Sequence, residues 1–226
     1  DLSGNLGDPS YDPEVFDLVG KAGLGDLETT TDGDTLYAVN LFNRSLVQME
    51  IGVPAAAPPL PASAVSEIPI PDPGCSDVSD WRPFALKYYK GTLYVGGVCS
   101  AQSTQNTDDL FGIIYSYDPN SNTFTEVLNF PLDYPKGFVL TGLNHCTDWN
   151  PWTDDFNDLP AGGIELCYPQ PILSDIEFDV YDNMMIGFND RGGHQMGWYD
   201  YGTDGVGTQT WKGNAGGDVL RVYNNN

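Results

Sequence analysis

The sequence predicts an all-β fold, a β-propeller-type array of four-stranded antiparallel blades that is incomplete in this chain. Two observations support it. The 226 residues include 26 Gly and 17 Pro without any long charged helical run, a composition that favours many short strands joined by turns. A strand–turn–strand pattern also recurs at long intervals, which is typical of arrays of small antiparallel sheets.

The recurring pattern is clearest in GDLETTTDGDTLYAVN, residues 25–40. A small residue and an acidic–apolar–acidic triplet precede a turn signal and then an aromatic, β-branched strand. A second copy spans 174–188, with SDIE at its start and Asp-Asn at its turn. A third, looser copy spans 82–96 and turns at Lys-Gly. The spacing predicts one hairpin in each copy.

Taken in order, the chain divides into units within a single domain, 1–226. The predicted units are 15–70, beginning with a short strand at 15–19, then 75–132, then 173–212, and the start of a further unit at 216–226. Residues 134–172 break the periodicity and are predicted to form an insertion.

A proline-rich stretch, residues 53–73, follows the first hairpin and its third strand. It is interpreted either as a domain linker or as a long surface loop that carries an edge strand at 67–70, where proline is tolerated. The loop interpretation is favoured because the strand pattern resumes directly after it.

The charge restricts the possible partners. The chain has 9 basic and 32 acidic residues, a formal net charge of −23. This charge repels nucleic-acid phosphates and anionic lipids, so we expect no nucleic-acid partner. No window holds 18 consecutive apolar residues, so we expect no membrane insertion. The acidity is typical of a solvated extracellular surface.

Four cysteines occur, and none forms a C-x-x-C pair, which argues against zinc-ribbon and thioredoxin-like sites. Pairing in chain order gives Cys75–Cys99 and Cys146–Cys167, each stabilising by about 3 kcal/mol. Sequence alone does not choose among the three possible pairings. Two local disulfides indicate an oxidising compartment, so we expect secretion or the cell surface.

Four stretches resemble the β-propeller regions of secreted or cell-surface bacterial proteins, the kind found ahead of immunoglobulin-like repeats or the B-type modules of Ser-Asp-repeat adhesins. They are GLGDLE (23–28), DGDTLYAVNLFNRSL (32–46), GCSDVSDWRPFALKYYKGTLYVGGVCS (74–100) and LSDIEFDVYDNMMIGFNDRGGHQ (173–195). The resemblance implies an architecture and no particular activity. Because closed propellers need at least four blades, the missing blades are expected from other segments of a longer surface protein or from further copies of this chain.

Four aspartates of the predicted insertion gather oxygen ligands suited to calcium. They are Asp148, Asp154, Asp155 and Asp158. Their spacing does not match an EF-hand, and a solvated acidic loop is the favoured interpretation. Calcium is the one cofactor that the sequence suggests.

Two tryptophans, Trp149 and Trp152, stand among these acids. Their flat faces beside hydrogen-bond acceptors suit sugar rings, which makes carbohydrate a candidate partner. Packing against the body of the protein is favoured over this, because large aromatic side chains are usually buried.

Four further acids recur at equivalent positions of the repeat: Asp26, Glu28, Asp175 and Glu177. The first strand of each propeller blade lines the central channel, so these side chains are predicted to line it. Cation binding there and capping of a neighbouring blade's backbone are both open, and capping is favoured. Asp190 and Arg191 are interpreted as stabilising a turn rather than as an ion pair or channel lining.

The sequence contains no G-x-S-x-G elbow, P-loop or G-x-G-x-x-G motif, and no catalytic residue is predicted. The predicted function is therefore a non-enzymatic extracellular module for adhesion or assembly, with calcium as a candidate stabiliser. The alternatives are a secreted propeller enzyme, hydrolase- or lactonase-like with a divalent metal, and a carbohydrate-binding module.

Overall fold

A computed structural model describes residues 9–10, 12–139, 146–203 and 209–224. Parts of the predicted insertion (140–145) and of the predicted further unit (225–226) lie outside the described residues. The fold is all-β, with 43% of the described residues in strands and 11% in helices, including 3-10 turns, so the all-β part of the prediction is confirmed. The strands are β1 (Leu24–Thr29), β2 (Thr35–Asn40), β3 (Ser45–Glu50), β4 (Val65–Pro69), β5 (Trp81–Tyr89), β6 (Thr92–Cys99), β7 (Phe111–Asp118), β8 (Thr123–Pro131), β9 (Ala161–Gly162), β10 (Glu165–Leu166), β11 (Pro171–Phe178), β12 (Met184–Asp190), β13 (Trp198–Tyr201), β14 (Thr210–Gly213) and β15 (Asp218–Val222). The α-helices are α1 (Pro13–Phe16) and α2 (Arg191–Gln195), and short 3-10 helices lie at Ala62–Ala64, Val78–Asp80, Thr107–Asp109 and Phe156–Asp158.

These strands form four sheets. Sheet I has the order β1-β2-β3-β4 and sheet II the order β5-β6-β7-β8. Sheet III contains β11-β12-β15, and sheet IV contains β13-β14-β10-β9. Pairing is antiparallel throughout, except that β10 runs parallel to β14. Sheets I and II therefore have the predicted four strands, whereas sheet III has three.

Tight turns set the hairpins of the repeat. In the β5–β6 turn, Lys90 and Gly91 both have positive φ, 50° and 85°, as a two-residue turn between twisted strands requires. In the β1–β2 turn, the hydroxyl of Thr30 donates to Asp32, and the N–H of Gly33 donates to the Thr30 carbonyl. Local chemistry of this kind is readable from sequence, which is why the hairpins match the recurring pattern.

Sheet II lies between sheets I and III, and the core fills the two layers. One layer joins sheets I and II through buried side chains that include Tyr37, Leu46, Leu86 and Val95. The other joins sheets II and III through side chains that include Ala85, Ile114, Ile176 and Ile186. A smaller cluster around Phe156 and Leu166 supports sheet IV. The three larger sheets thus stack in chain order.

The first strands of these three sheets share one irregularity. The register shifts between Leu24 and Leu27 in β1, between Pro83 and Ala85 in β5, and between Leu173 and Asp175 in β11. Each shift is a β-bulge, in which two residues oppose one on the partner strand. The bulges fall at the same point of the hairpin register, so the first hairpins of the three sheets share one geometry.

Three sequence-based assignments are corrected by the structure. Residues 216–226 do not begin a further unit, because β15 pairs with β12 as the third strand of sheet III. The third unit does not continue to 212 as one sheet, since β13 pairs with β14, and β14 pairs with the insertion strand β10. The predicted strand at 15–19 is replaced by α1, which ends at Phe16.

The proline-rich stretch is a surface loop with an edge strand rather than a linker. Its strand, β4, pairs antiparallel with β3 and completes sheet I. Both predicted disulfides, Cys75–Cys99 and Cys146–Cys167, are formed. Among the described residues, no helix has the length and apolar character needed to cross a bilayer.

Candidate functional site

The most distinctive group of charges lies where the first strands of sheets I, II and III meet. Gly25 permits the approach, because a Cβ there would lie 2.7 Å from the carbonyl oxygen of Phe84 in β5. Asp26 then reaches across, and its Oδ2 accepts the N–H of Leu86 at 3.0 Å. Its Oδ1 accepts the N–H of Leu27 at 2.8 Å. Asp26 therefore caps the backbone of the neighbouring sheet.

The ionisation of Asp26 reflects this position between strands. Burial raises the pKa of the Asp26 carboxyl, and the charge of Asp175 adds to the rise. The two backbone N–H donors act in the opposite direction but do not outweigh the burial. The carboxylate is held as a structural acceptor at an energetic cost to its charged form.

Lys87 of β5 lies between two of the predicted channel acids. Its Nζ is 3.2 Å from Oε1 of Glu28 in β1 and 2.6 Å from Oε1 of Glu177 in β11. Burial alone would lower the pKa of Lys87, but the hydrogen bonds with Glu177 and Glu28 raise it. Three sheets are thus joined through one ammonium group.

Sequence reasoning did not identify Lys87. The recurring pattern carried the signal, because aligning the third copy with the others places Lys87 where Glu28 and Glu177 stand in their own strands. The acids do not form a ring of like charge: a lysine occupies the equivalent position of the middle sheet. Opposite charges at matching positions attract across the junction, where like charges would repel.

A second charged cluster fastens the segment before β1 to the insertion. Asp154 Oδ1 accepts from Nη2 of Arg191 at 2.8 Å, and its Oδ2 accepts from the ammonium of Lys21 and from Gln102. Burial alone would raise the pKa of Asp154, yet the hydrogen bond from Lys21 and the charge of Arg191 hold it below its usual value. This carboxylate is therefore already engaged by two cations.

Arg191 is fully buried, at the first position of α2. Its guanidinium donates to the carbonyls of Asp17, Val19 and Thr153, at 3.1, 2.8 and 2.6 Å. It also donates to the side chain of Gln170 at 2.9 Å. Arg191 therefore pairs with Asp154 and joins three chain segments, a wider role than the predicted turn.

Asp190 does stabilise the turn. It is the N-cap of α2, and its Oδ1 accepts the N–H groups of Gly192 and Gln170 at 2.8 and 2.9 Å. Its Oδ2 accepts the N–H of Gly216 at 3.0 Å. Burial raises the pKa of Asp190 to about 6 despite these three donors.

The other three predicted calcium ligands bind locally. Asp155 accepts the N–H of Asn157 at 2.9 Å, and Asp158 accepts the hydroxyl of Thr153 at 2.7 Å. Asp148 accepts the hydroxyl of the threonine that precedes it, at 3.1 Å. In the part of the chain that the structure describes, no three acidic, His or Cys residues form a group able to hold a metal ion. Calcium binding stays a prediction.

The two candidate sugar-binding tryptophans point into the core. Trp149 and Trp152 are 2% and 1% exposed, and both pack in the layer between sheets II and III. The indole of Trp152 donates to the Pro171 carbonyl at 2.8 Å, and the Arg191 guanidinium lies 4.6 Å from its ring centroid. A buried ring offers no face to a sugar, so these residues serve packing.

No protein-family model matches the chain. It is 34% identical to Colossin-C of Dictyostelium discoideum over 179 residues, 78% of this chain and 16% of that protein. It is 30% identical to Colossin-D of the same organism over 196 residues, 84% of this chain and 18% of that protein. A 128-residue match to Colossin-A is also 34% identical. The chain spans less than a fifth of the length of these relatives.

These relatives correct the resemblance inferred from the sequence. They are proteins of a eukaryote, so the assignment to bacterial surface proteins that precede adhesin modules is wrong. Recurring hairpins and turn residues follow from the geometry of stacked sheets, and similar patterns arise wherever such sheets occur. The chain is similar, over most of its length, to a short part of the colossins of Dictyostelium discoideum.

Proposed function

We propose that this chain is part of a non-enzymatic extracellular module for adhesion or assembly, built as a propeller-type array of sheets. One observation carries the proposal. Sheets I, II and III stack in the same sense, and their bulged first strands lie side by side. Radial repetition of antiparallel sheets around a common axis is the arrangement of propeller blades.

The charged groups favour a structural role over catalysis. Asp26 and Lys87 join neighbouring sheets, and Arg191 joins the insertion to the segment before β1. Every one of these groups has a partner that belongs to the scaffold. Their positions are therefore accounted for by assembly of the fold, with no substrate needed.

The disulfides and the charge support an extracellular location. Two disulfides persist in oxidising compartments and are rare in the cytosol. A net charge of −23 keeps a surface solvated and suppresses nonspecific association. Both features fit a module that is presented to the medium.

Location is tested with the full polypeptide in cells that produce it. Antibodies against this region are expected to label intact cells as strongly as permeabilised ones, and the cysteines are expected to resist alkylation until reduced. Labelling that requires permeabilisation, together with alkylation without reduction, would contradict an extracellular module.

Function is tested by removing the polypeptide from the same cells. Their attachment to neighbouring cells or to a matrix is expected to weaken. Purified protein is assayed in parallel against ester and lactone substrates, before and after chelation. Turnover that chelation abolishes would replace the proposal with a metal-dependent hydrolase.

A further inference from the structure

Sheet I carries an apolar face that nothing in the described structure covers. Leu24, Leu27 and Val65 on this face are 60%, 52% and 41% exposed. Their neighbours Leu36 and Met49 are half-buried. By the pairing register, these residues lie on the side of sheet I opposite to Tyr37 and Leu46. We call this the open face of sheet I.

The repeat identifies what belongs on this face. Leu27 pairs with Ala38 at the register position where Leu86 pairs with Val95 in sheet II and Ile176 with Ile186 in sheet III. Leu86 and Val95 are fully buried against sheet I, and Ile176 and Ile186 are fully buried against sheet II. In the other two sheets, this face therefore packs on the sheet that comes before it.

In the described part of the chain, the other uncovered face of the stack belongs to sheet III, on the side away from sheet II. By the pairing register, its open face carries Met185, Gly187 and Val219 together with the charged residues Asp175, Glu177 and Arg221, and Val219 is 66% exposed. Met185 occupies the position of Tyr37 in sheet I and Tyr94 in sheet II. Tyr37 packs against the next sheet in chain order, and Tyr94 packs against Phe178 of sheet III with ring centroids 4.9 Å apart. The face of sheet III equivalent to these two tyrosines has no following sheet in the described residues.

We propose that the open face of sheet I binds the open face of sheet III of a second copy of this chain. The contact continues the interface that the chain already forms twice, between sheets I and II and between sheets II and III. A second copy carries both complementary faces, so two chains close head to tail through two identical contacts.

Closure brings six stacked sheets together, three from each copy, within the usual range of about four to eight blades. The assembly rests on the proposed propeller-type arrangement.

The charge of the chain predicts how association responds to salt. Each copy carries a net charge of −23, so two copies repel one another at low ionic strength. The open face of sheet I is largely apolar, and salt does not screen the stabilisation that comes from burying apolar area. Added salt is therefore expected to strengthen dimerisation, since screening shortens the range of the repulsion.

The test is the mass of the 226-residue chain in solution, by light scattering after size exclusion. Over a concentration series in moderate salt, the wild-type chain is expected to reach twice the mass of one chain. Leu27→Asp on sheet I and Val219→Asp on sheet III are each expected to halve that mass. Val180→Asp, at a turn residue that is 90% exposed, is the matched control and keeps the dimer.

Mixing the two variants separates this proposal from a face-to-face dimer. Leu27→Asp leaves the sheet III face intact, and Val219→Asp leaves the sheet I face intact. Their mixture is expected to recover a dimer through one remaining contact, with weaker affinity than the wild type. A dimer through two sheet I faces would instead persist in Val219→Asp alone, which would overturn the head-to-tail arrangement.

Circular dichroism and intact disulfides verify folding of each variant. Should Leu27→Asp unfold, Val65→Asp on the same face takes its place. A wild-type chain that stays monomeric at high micromolar concentration overturns the proposal and assigns the face to a further sheet of a longer polypeptide. That outcome leaves surface labelling and cysteine protection unchanged, so it is distinguishable from failure of the proposed function.

Discussion

The Asp26 carboxylate accepts the backbone N–H of Leu86 at 3.0 Å, across the junction of sheets I and II. Asp26→Ala removes this acceptor and leaves the N–H without its partner, so we expect a loss of about 1 kcal/mol in the free energy of unfolding. Urea denaturation measures it. Asp175→Ala at the equivalent position of β11 is the control and is expected to cost less, because it also removes a repulsive charge near Asp26. Equal losses would contradict the capping role.

Lys87 is expected to matter through its charge. Lys87→Met removes the cation between Glu28 and Glu177 and is expected to lower stability by about 1 kcal/mol. The deficit is expected to shrink as sodium chloride is added, since salt screens the remaining acids. Thermal unfolding over a salt series measures this. Lys90→Met, at a more exposed ion pair, is expected to change stability less. A deficit independent of salt would point to lost packing instead.

Arg191 is expected to be among the most sensitive positions. Arg191→Met leaves several buried carbonyls and the Asp154 carboxylate without their shared donor, and the expected cost is about 3 kcal/mol. Arg191→Lys is expected to rescue little, because an ammonium cannot span donors so far apart. Denaturation and limited proteolysis near Val19 measure both effects. A variant that resists protease as the wild type does would exclude the joining role.

The buried Asp190 predicts a pH dependence of a particular sign. Its pKa of about 6 in the folded chain lies above its ordinary value of 3.8. Between these values the folded chain holds a proton that the unfolded chain lacks, so this group's contribution to stability rises as the pH falls from neutral towards 4. Asp190→Asn cannot ionise, and the stability of the wild type relative to this variant is expected to rise over the same range. If the stability difference between the wild type and Asp190→Asn did not change with pH, the raised pKa of Asp190 would be disproved.

The first disulfide closes a loop with a sequence separation of 24. Replacing Cys75 and Cys99 together by serine is expected to lower stability by about 3 kcal/mol, because the unfolded chain regains the entropy of an open loop. The double replacement of Cys146 and Cys167, with a separation of 21, is expected to cost a similar amount. Denaturation of both variants beside the wild type measures these losses, and a cost near zero for either would contradict the loop-entropy argument.

Local chemistry explains which parts of the fold are readable from sequence. The Lys90-Gly91 turn and the alternating strands beside it specify a hairpin within a few residues, and that hairpin was predicted. The pairing of Met184 with Val222 was not, because strands so far apart in sequence carry no shared local signal. The short apolar run at Val15 suits a strand and one turn of helix equally well, so its pattern does not distinguish the predicted strand from the observed α1.

The residues of the candidate site also fall into those that the sequence pattern identifies and those that it does not. The repeat identifies four acids: Asp26, Glu28, Asp175 and Glu177. The structure places Asp26, Glu28 and Glu177 in contacts that join neighbouring sheets. Lys87 was missed because it departs from the repeat. The reach of Arg191 was also missed, because its partners come from segments that only the folded chain brings together.

The β-bulge shared by β1, β5 and β11 limits where residues can be inserted into this chain. A residue inserted into a first strand would reverse the inward and outward sides of every residue beyond it, and so exchange the layer that faces one neighbour with the layer that faces the other. An insertion in a connection between two sheets leaves the inward and outward sides of the strand residues unchanged. The long segment between β8 and β11 is such a connection, and it holds two short strands, a disulfide and a contact with the buried Arg191 beside the stacked sheets. New recognition surfaces are therefore expected at the inter-sheet connections, with the strands held to a fixed count.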